Sequence, residues 1–402
     1  MSQNISQSEK VYRMSDGQEQ DLLEPATSIA EGPSKGQAMA ASDMDHTMVG
    51  NDLGVLVFFE KIQDKEFWDM STQEFKALLL PKDYLKKIQE WADSGYPDLK
   101  SVHCKLLLDL YTDVIRLFHL QQTHKNNPNS RIFVMIMKEF GRKMLEMDRI
   151  IVEVDPLLKR EMNGMLLMRT RFFAGREPGK IRELTEKVVE RSKDPDNNKK
   201  YVSFPMYDQL RRDGRQQVTA EYVREVMGKD SPFELYDQSL PIIEPVRQVL
   251  HYLASSGVPT VVATANLQGI AKTLIRETDY DFLNDQQIGE VVLGTRLRQN
   301  GVMLRPEIDG MPLSGKEKAR AVLHRASGMK REPKVFLGDS PSGDLDAMIA
   351  TLQRRGSVYI VGQNPDVVSR KFRKKFADVF GTQGRELERV FIIETATEGF
   401  AH

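Results

Sequence analysis

The order of apolar runs along the chain is the feature that most narrowly limits its fold. After Leu240, short apolar runs in "VPTVVATAN", "PKVFLGDS" and "SVYIVG" alternate with amphipathic helical segments. Such alternation predicts a parallel β-sheet with helices on both faces. The run "AMAAS", which precedes Asp43, is interpreted as an earlier strand of the same sheet. We therefore predict an α/β protein with a Rossmann-like parallel sheet core, split in sequence by a long insertion after its first strand.

The insertion has the apolar spacing of helices. From about Val55 to Leu235 apolar residues recur every three or four positions, as in "KLLLDLYTDVIRLFHL" and "GKIRELTEKVVERS". The predicted boundaries are a disordered leader at 1–37, a sheet core at 38–54 and 241–402, and an all-helical cap at 55–240. The leader is assigned from its abundance of Ser, Gln, Glu and Gly. A hairpin is expected around Asn300-Gly301, because Asn-Gly favours a two-residue turn.

Composition excludes several classes of protein. The 402 residues include 57 basic and 58 acidic side chains, for a net charge of −1, which argues against broad binding to nucleic acid or to an anionic membrane. The single cysteine, Cys104, excludes an internal disulfide, and its apolar helical setting predicts a core position. We find no secretory signal and no apolar run long enough to span a bilayer, and therefore expect a cytoplasmic protein. The sequence does not indicate an oligomeric state.

Side chains that could take part in catalysis or binding lie at the ends of several apolar runs or at the start of a helix. In open parallel sheets, ligands bind beyond the carboxyl ends of the strands, so these positions are candidates for one common site. They are, in chain order, Asp43-Met44-Asp45-His46-Thr47, Thr264, Lys316, Gly338-Asp339-Ser340 and Asp344.

Each of these pieces has an ordinary interpretation when taken singly. Asp43 and Asp45 fit an Asx turn, Thr264 a helix cap, Lys316 a solvated surface residue, and "GDSPSGD" a simple turn. Their order and setting favour one common site over these separate interpretations, because together the residues supply carboxylates, a hydroxyl and an ammonium. Phosphoryl transfer through an aspartyl-phosphate requires these groups, with Mg²⁺ to neutralise charge as anion approaches anion.

These residues resemble, in order, the four motifs of the haloacid dehalogenase superfamily of phosphatases. "DMDHTMVGND" is similar to the first motif of the phosphoserine-phosphatase-like branch, and "RTRFFAGREPGKIRELTEKVVE" is similar to a cap segment of that branch. The resemblance covers about residues 38–54 and 165–370. The insertion is longer than the usual cap, and its segment 55–160 resembles nothing in the family.

The resemblance implies a role for each matching residue. Asp43 would be the nucleophile and a metal ligand, and Asp45 the general acid and base that also offers its backbone carbonyl to Mg²⁺. Asp339 would be the third protein ligand, and Asp344 would orient either that ligand or a metal-bound water. The phosphate-binding residues would be Thr264 and Lys316, with Lys318 as the alternative lysine and Asp52 near the substrate pocket.

The implied activity is magnesium-dependent hydrolysis of a phosphomonoester, with a small molecule favoured over a protein as the substrate. A phosphomutase is an alternative, because it also uses two Asp residues in the first motif. A helical interaction module that carries an auxiliary phosphatase core is another, with segment 55–160 as the docking region.

Overall fold

The computed structural model divides into two compact units. The sheet unit comprises residues 1–53, 240–296 and 308–402, and the helical unit comprises residues 54–239 and 297–307. The structure describes residues 11–13, 19–50, 52–63, 67, 69–94, 99–124, 136, 139–141, 143, 144, 146–148, 150, 151, 154, 158, 168–193, 240–286, 289–301, 303–309, 313–362, 365–381 and 385–395.

A seven-stranded parallel sheet lies at the centre of the sheet unit, in the order β1-β9-β8-β7-β2-β3-β4. A second, two-stranded sheet consists of β5 and β6. The strands are β1 (Val11–Arg13), β2 (Ala38–Ser42), β3 (Thr260–Leu267), β4 (Val292–Thr295), β5 (Leu297–Asn300), β6 (Met303–Ile308), β7 (Glu332–Gly338), β8 (Ser357–Gly362) and β9 (Val390–Glu394). The predicted α/β fold with a Rossmann-like parallel sheet is confirmed.

The helices alternate with the strands in the sheet unit and follow one another in the helical unit. Those with described bounds are α1 (Glu19–Ala30), α2 (Leu53–Gln63), α3 (Thr72–Leu79), α4 (Lys82–Asp93), α5 (Leu99–His124), α6 (Met168–Arg171), α7 (Pro178–Ser192), α8 (Glu244–Ser255), α9 (Gln268–Glu277), α10 (Lys316–Gly328), α11 (Leu345–Gln353) and α12 (Pro365–Phe380). None of the described helices is both long and apolar enough to cross a membrane.

Strand β2 lies between β7 and β3, and all five of its residues are buried. Its side chains are small, as "AMAAS" shows, which suits a central strand of a parallel sheet that is covered on both faces. Met39 and Ala41 belong to the apolar cluster that includes the buried faces of α10, α11 and α12. The residue that follows β2, Asp43, is thereby fixed at the carboxyl edge of the sheet, between β7 and β3.

The helical unit has its own apolar core, which is rich in aromatic rings. Phe75 of α3 and Phe118 of α5 stack in parallel with ring centroids 4.0 Å apart, and Phe67 meets both edge-on. Ser71 and Glu74 form a capping box that begins α3. Cys104 is fully buried in this core, so the core position predicted for it is confirmed.

The hairpin expected at Asn300-Gly301 is present as β5 and β6, with Gly301 in the left-handed conformation at φ 61°. Its strands belong mainly to the helical unit, where Leu304 exchanges backbone hydrogen bonds with Gly175 and Arg176. The described elements within the predicted cap at 55–240 are all helices. The prediction that the sheet core includes residues 297–307 was wrong, because these residues group with the helical unit.

The prediction of a disordered leader at 1–37 was also wrong for the residues that the structure describes there. Strand β1 pairs with β9 at one edge of the sheet, and the inserted unit therefore follows the second strand in chain order. Helix α1 buries Leu22, Ala26 and Ile29, which recur at helical spacing on one face. The helices predicted within 161–167 and 194–235 lie outside the described residues.

Candidate active site

The first predicted motif lies where β2 ends. The N–H of Asp43 donates to the carbonyl of Leu337 in β7 (2.9 Å), which extends the strand pairing by one residue. The chain then turns, because the N–H groups of Thr47 and Met48 both donate to the carbonyl of Met44, and His46 adopts φ 55°. The sharp turn separates the side chain of Asp43 from that of Asp45, which explains how two carboxylates fit two residues apart.

A buried ammonium joins Asp43 to a second carboxylate. Lys318 Nζ lies 3.0 Å from Asp43 Oδ1 and 2.5 Å from Asp344 Oδ1. The Lys318 side chain is 2% exposed and Asp344 is fully buried. A buried pair of this kind holds its members in place because removal of either one leaves an unpaired charge in the interior.

The remaining oxygen of Asp344 fixes the position of Asp339. Asp344 Oδ2 accepts hydrogen bonds from the backbone N–H groups of Asp339 (3.1 Å) and Ser340 (3.0 Å). Thr47 Oγ1 donates to Asp339 Oδ1 (3.3 Å), which links the first and fourth motifs directly. The side-chain hydroxyl of Thr47 received no role from the sequence, although it lies within the quoted motif.

Asp45 is held by two donors on a separate side of the turn. Its Oδ1 accepts from the backbone N–H of Leu53 (3.0 Å), and its Oδ2 accepts from the side-chain amide of Asn266. The N–H of Asn266 in turn donates to Thr264 Oγ1 (3.1 Å). Thr264 and Asp45 are thereby connected through Asn266, a residue that the sequence analysis missed although it stands two positions after Thr264.

The lysine at the nucleophile is Lys318, the alternative, and the contact predicted for Lys316 was wrong. Lys316 is the first residue of α10 and is exposed, whereas Lys318 is buried. Two residues along a helix rotate a side chain by about 200°, so the two lysines lie on different faces. The rotation of α10 about its own axis therefore determines which lysine faces the sheet, and it is Lys318.

Carboxylates outnumber cations at this site. Asp43, Asp339 and Asp344 each place an oxygen within 4.8 Å of the others, whereas Lys318 supplies one positive charge to balance them. Burial and the charge of Asp344 raise the pKa of Asp43 to about 8 despite the opposing effect of Lys318. The same two causes raise the pKa of Asp339 to about 7. Burial disfavours the charged form of Lys318, but Asp43 and Asp344 outweigh it and raise its pKa.

The donor set fits a hard divalent cation. Mg²⁺ prefers carboxylate and carbonyl oxygens, and the described site offers carboxylates in excess of its positive charge. Asp344 has both oxygens engaged, by Lys318 on one side and by two N–H groups on the other. Asp43 and Asp339 are therefore the carboxylates that would hold the ion. The backbone carbonyl of Asp45 stays a predicted ligand.

Comparison with known proteins gives structural likeness without sequence relatives. No model of a known protein family matches the chain, and no curated protein matches it either. A conserved protein of unknown function from Anaerococcus prevotii DSM 20548 is similar in structure, with a TM-score of 0.52 and 15% identity over 95% of this chain and 94% of that one.

Two further solved structures bear family names. A HAD family hydrolase from Salmonella enterica subsp. enterica serovar Typhi has a TM-score of 0.34 and 9% identity over 83% of this chain and 65% of that one. A probable phosphoserine phosphatase from Vibrio cholerae has a TM-score of 0.25 and 18% identity over 48% of this chain and 53% of that one.

The order of the motifs in the sheet agrees with the resemblance found in the sequence. Asp43 follows the interior strand β2, Thr264 lies in β3 on one side, and Asp339 follows β7 on the other. Within this parallel sheet core, the elements named above bring together Asp43, Asp339, Asp344 and Lys318. A hydrogen-bonded link joins Asp45, Asn266 and Thr264. The exposed Lys316 is not part of either group.

A pair of lysine variants tests the assignment of Lys318. Lys318→Met leaves Asp43 and Asp344 buried without their counter-charge, and we expect a loss of about 3–5 kcal/mol in the free energy of unfolding at pH 8. Lys316→Met, two residues away and exposed, is the matched control and should change that free energy by less than about 0.5 kcal/mol. Urea unfolding followed by circular dichroism measures both. Equal effects of the two substitutions would refute the assignment.

The raised pKa values predict how Mg²⁺ and pH act together on stability. In metal-free protein, Asp43 and Asp339 take up protons more readily when folded than when unfolded. Their contribution to stability is therefore complete below pH about 4 and is lost as pH rises through about 7 and 8. Mg²⁺ binds the ionised carboxylates. We expect Mg²⁺ to raise the melting temperature more at pH 8 than at pH 5.5.

Thermal melts at the two pH values, with and without Mg²⁺, measure this effect. Asp339→Asn should reduce the gain from Mg²⁺, whereas Asp378→Asn, on the exposed face of α12, should preserve it. A gain that is the same at both pH values, or that survives Asp339→Asn unchanged, would contradict the proposed ligands.

Proposed function

We propose that this protein is a magnesium-dependent phosphatase that hydrolyses a phosphomonoester through an aspartyl-phosphate formed on Asp43. The observation that carries the proposal is the position of the Asp43 carboxylate. It lies at the carboxyl end of the interior strand β2, 3.0 Å from the Lys318 ammonium and in one oxygen cluster with Asp339. A carboxylate that is buried beside a fixed ammonium and a second carboxylate is placed for attack on an anionic phosphoryl group once a cation is present.

Charge neutralisation explains why the cation is needed. Bound Mg²⁺ would offset the charges of Asp43, Asp339 and the phosphoryl oxygens, which otherwise repel one another. In its absence the pKa of Asp43 is about 8, so a large fraction of the carboxyl is protonated at neutral pH and cannot act as a nucleophile. Lys318 retains its charge and holds Asp43 Oδ1, which sets the orientation of the attacking group.

Asp45 is the candidate for proton transfer. As Asp43 attacks the phosphorus atom, the bond to the leaving oxygen breaks, and Asp45 gives that oxygen its proton. In the second step Asp45 takes a proton from the water that attacks the phosphoryl group on Asp43, which regenerates the acid and releases phosphate. The donors from Leu53 and Asn266 hold the Asp45 carboxyl in one orientation through both steps.

Thr264 supports the proposal as a phosphate-binding residue. Its hydroxyl oxygen accepts the N–H of Asn266, so the O–H remains available to donate. A donor linked to Asp45 through Asn266 suits a phosphoryl oxygen, because charge develops on these oxygens in the transition state. We further propose, from the sequence, that the substrate is a phosphorylated small molecule and that the enzyme acts in the cytoplasm.

The direct test replaces the nucleophile. Asp43→Asn removes the attacking oxygen's charge at nearly constant shape, and we expect hydrolysis of p-nitrophenyl phosphate with Mg²⁺ to fall by about 10³-fold or more. Asp378→Asn is the control, since it removes a carboxylate from the exposed face of α12. Circular dichroism confirms that both variants fold. An Asp43→Asn variant with wild-type turnover would refute the mechanism.

The same assay separates the two alternatives. A phosphomutase would return an isomerised sugar phosphate in place of free phosphate. An interaction module with an idle core would show no Asp43-dependent turnover on an array of phosphorylated metabolites and phosphopeptides.

A further inference from the structure

An open cavity of about 530 Å³ lies on the sheet unit at the edge opposite to the candidate active site. Its lining includes Gln37, directly before β2, and Glu332, the first residue of β7. Since all strands of the sheet are parallel, the residues that precede them lie at the amino edge, whereas Asp43 and Asp339 follow the carboxyl ends. The cavity is therefore separate from the phosphatase site and none of the site residues lines it.

The cavity is lined by an excess of positive charge. Lys330, Arg331 and Arg354 contribute three cations, and Glu332 contributes the one carboxylate. Lys334 Nζ lies 2.7 Å from Glu332 Oε2, so this carboxylate is already balanced by a lysine of its own strand. Glu332 also interacts electrostatically with Arg354, so the lining combines three cations with one carboxylate and keeps an excess of positive charge.

Two of the cations are held in place by the backbone. One terminal nitrogen of Arg331 donates to the carbonyls of Lys35 (3.2 Å) and Ala38 (3.0 Å), and Arg354 donates through one nitrogen to the carbonyl of Ala350 (2.9 Å). The described residues offer no acceptor to the other nitrogens of these two guanidinium groups. Guanidinium groups that are held in place and have N–H donors without an acceptor are well suited to bind oxyanions.

The third cation sits in a backbone conformation that usually belongs to glycine. Helix α10 ends with Arg331 N–H donating to the Ala326 carbonyl (2.8 Å) and Lys330 N–H to Ser327 (2.9 Å), and Lys330 itself has φ 55°. A residue with a Cβ is disfavoured at this position of a helix end, where glycine is the common choice. The residue at this position is Lys330, and it lines the cavity.

We propose that this cavity binds an oligophosphate. The ligand class follows from the chemistry of the lining, which combines two arginines, one lysine, the Ser327 hydroxyl and the Gln37 amide with one carboxylate, Glu332, and a single aliphatic side chain. Such a lining offers donors to several phosphoryl oxygens but no aromatic surface for a nucleobase. The site does not depend on the proposed phosphatase activity, because it shares no residue with it.

The structure provides a matched pair of variants for the test. Arg355 follows helix α11 in the same conformation as Lys330, at φ 56°, and is also a basic residue at a helix end, but it does not line the cavity. Glycine is favoured at both positions, so Lys330→Gly and Arg355→Gly each remove one positive charge without harm to the fold. Basic side chains near helix ends also interact with the helix dipole, and the second variant controls for that effect.

The experiment is calorimetric titration of the metal-free full-length protein with inorganic tripolyphosphate. We expect one binding site per chain, weakened about 10-fold by Lys330→Gly and less than about twofold by Arg355→Gly, since only Lys330 contacts the ligand. Absence of binding by the unmodified protein would overturn the proposal. So would an equal loss in both variants, which indicates a diffuse charge effect, or no loss in Lys330→Gly, which places the ligand elsewhere.

Discussion

The buried ammonium of Lys318 is the interaction on which the rest of the site depends. It contacts Asp43 and Asp344, which lie 301 positions apart in the chain, so three distant segments must meet in the interior of the sheet unit. A buried charge is costly unless partners satisfy it. Asp344 also fixes the turn after β7, because its second oxygen accepts hydrogen bonds from the backbone N–H groups of Asp339 and Ser340.

The parallel sheet brings these distant residues together without placing polar side chains in its apolar interior. Strand β2 contains small residues and is buried on both faces, while its neighbours β3 and β7 end beside it. Polar groups therefore gather only where the strands end, and the apolar interior stays intact. Because the strands share one direction, the amino edge is left free for different chemistry, and the basic cavity lies there.

Much of this site could be predicted from the sequence because its residues directly follow apolar runs. Asp43, Asp339 and Thr264 lie at or just after buried strands, and that placement is visible as a polar residue at the end of an apolar stretch. Lys316 was chosen over Lys318 although the helix does begin at Lys316, as predicted. The start of a helix does not show which of its faces packs against the sheet, and each residue turns that face by about 100°.

Other features could not be predicted, for reasons specific to each. The leader was judged by its polar composition, although Leu22, Ala26 and Ile29 already recur at helical spacing. The place of the β5–β6 hairpin depends on backbone bonds between Leu304 and residues 175 and 176, more than a hundred positions away. Asn266 has no signal of its own, because its role follows from the proximity of Asp45 in space.

We propose that Asp43 and Asp339 share one divalent cation at the carboxyl edge of the sheet. This can be tested with a crystal structure of the protein grown with Mn²⁺ in place of Mg²⁺, in which anomalous scattering locates the metal. We expect one strong anomalous peak in contact with a carboxylate oxygen of each residue, with Lys318 still against Asp43. A peak that contacts neither carboxylate, or an Asp43 that faces away from Asp339 in the metal-loaded crystal, would contradict it.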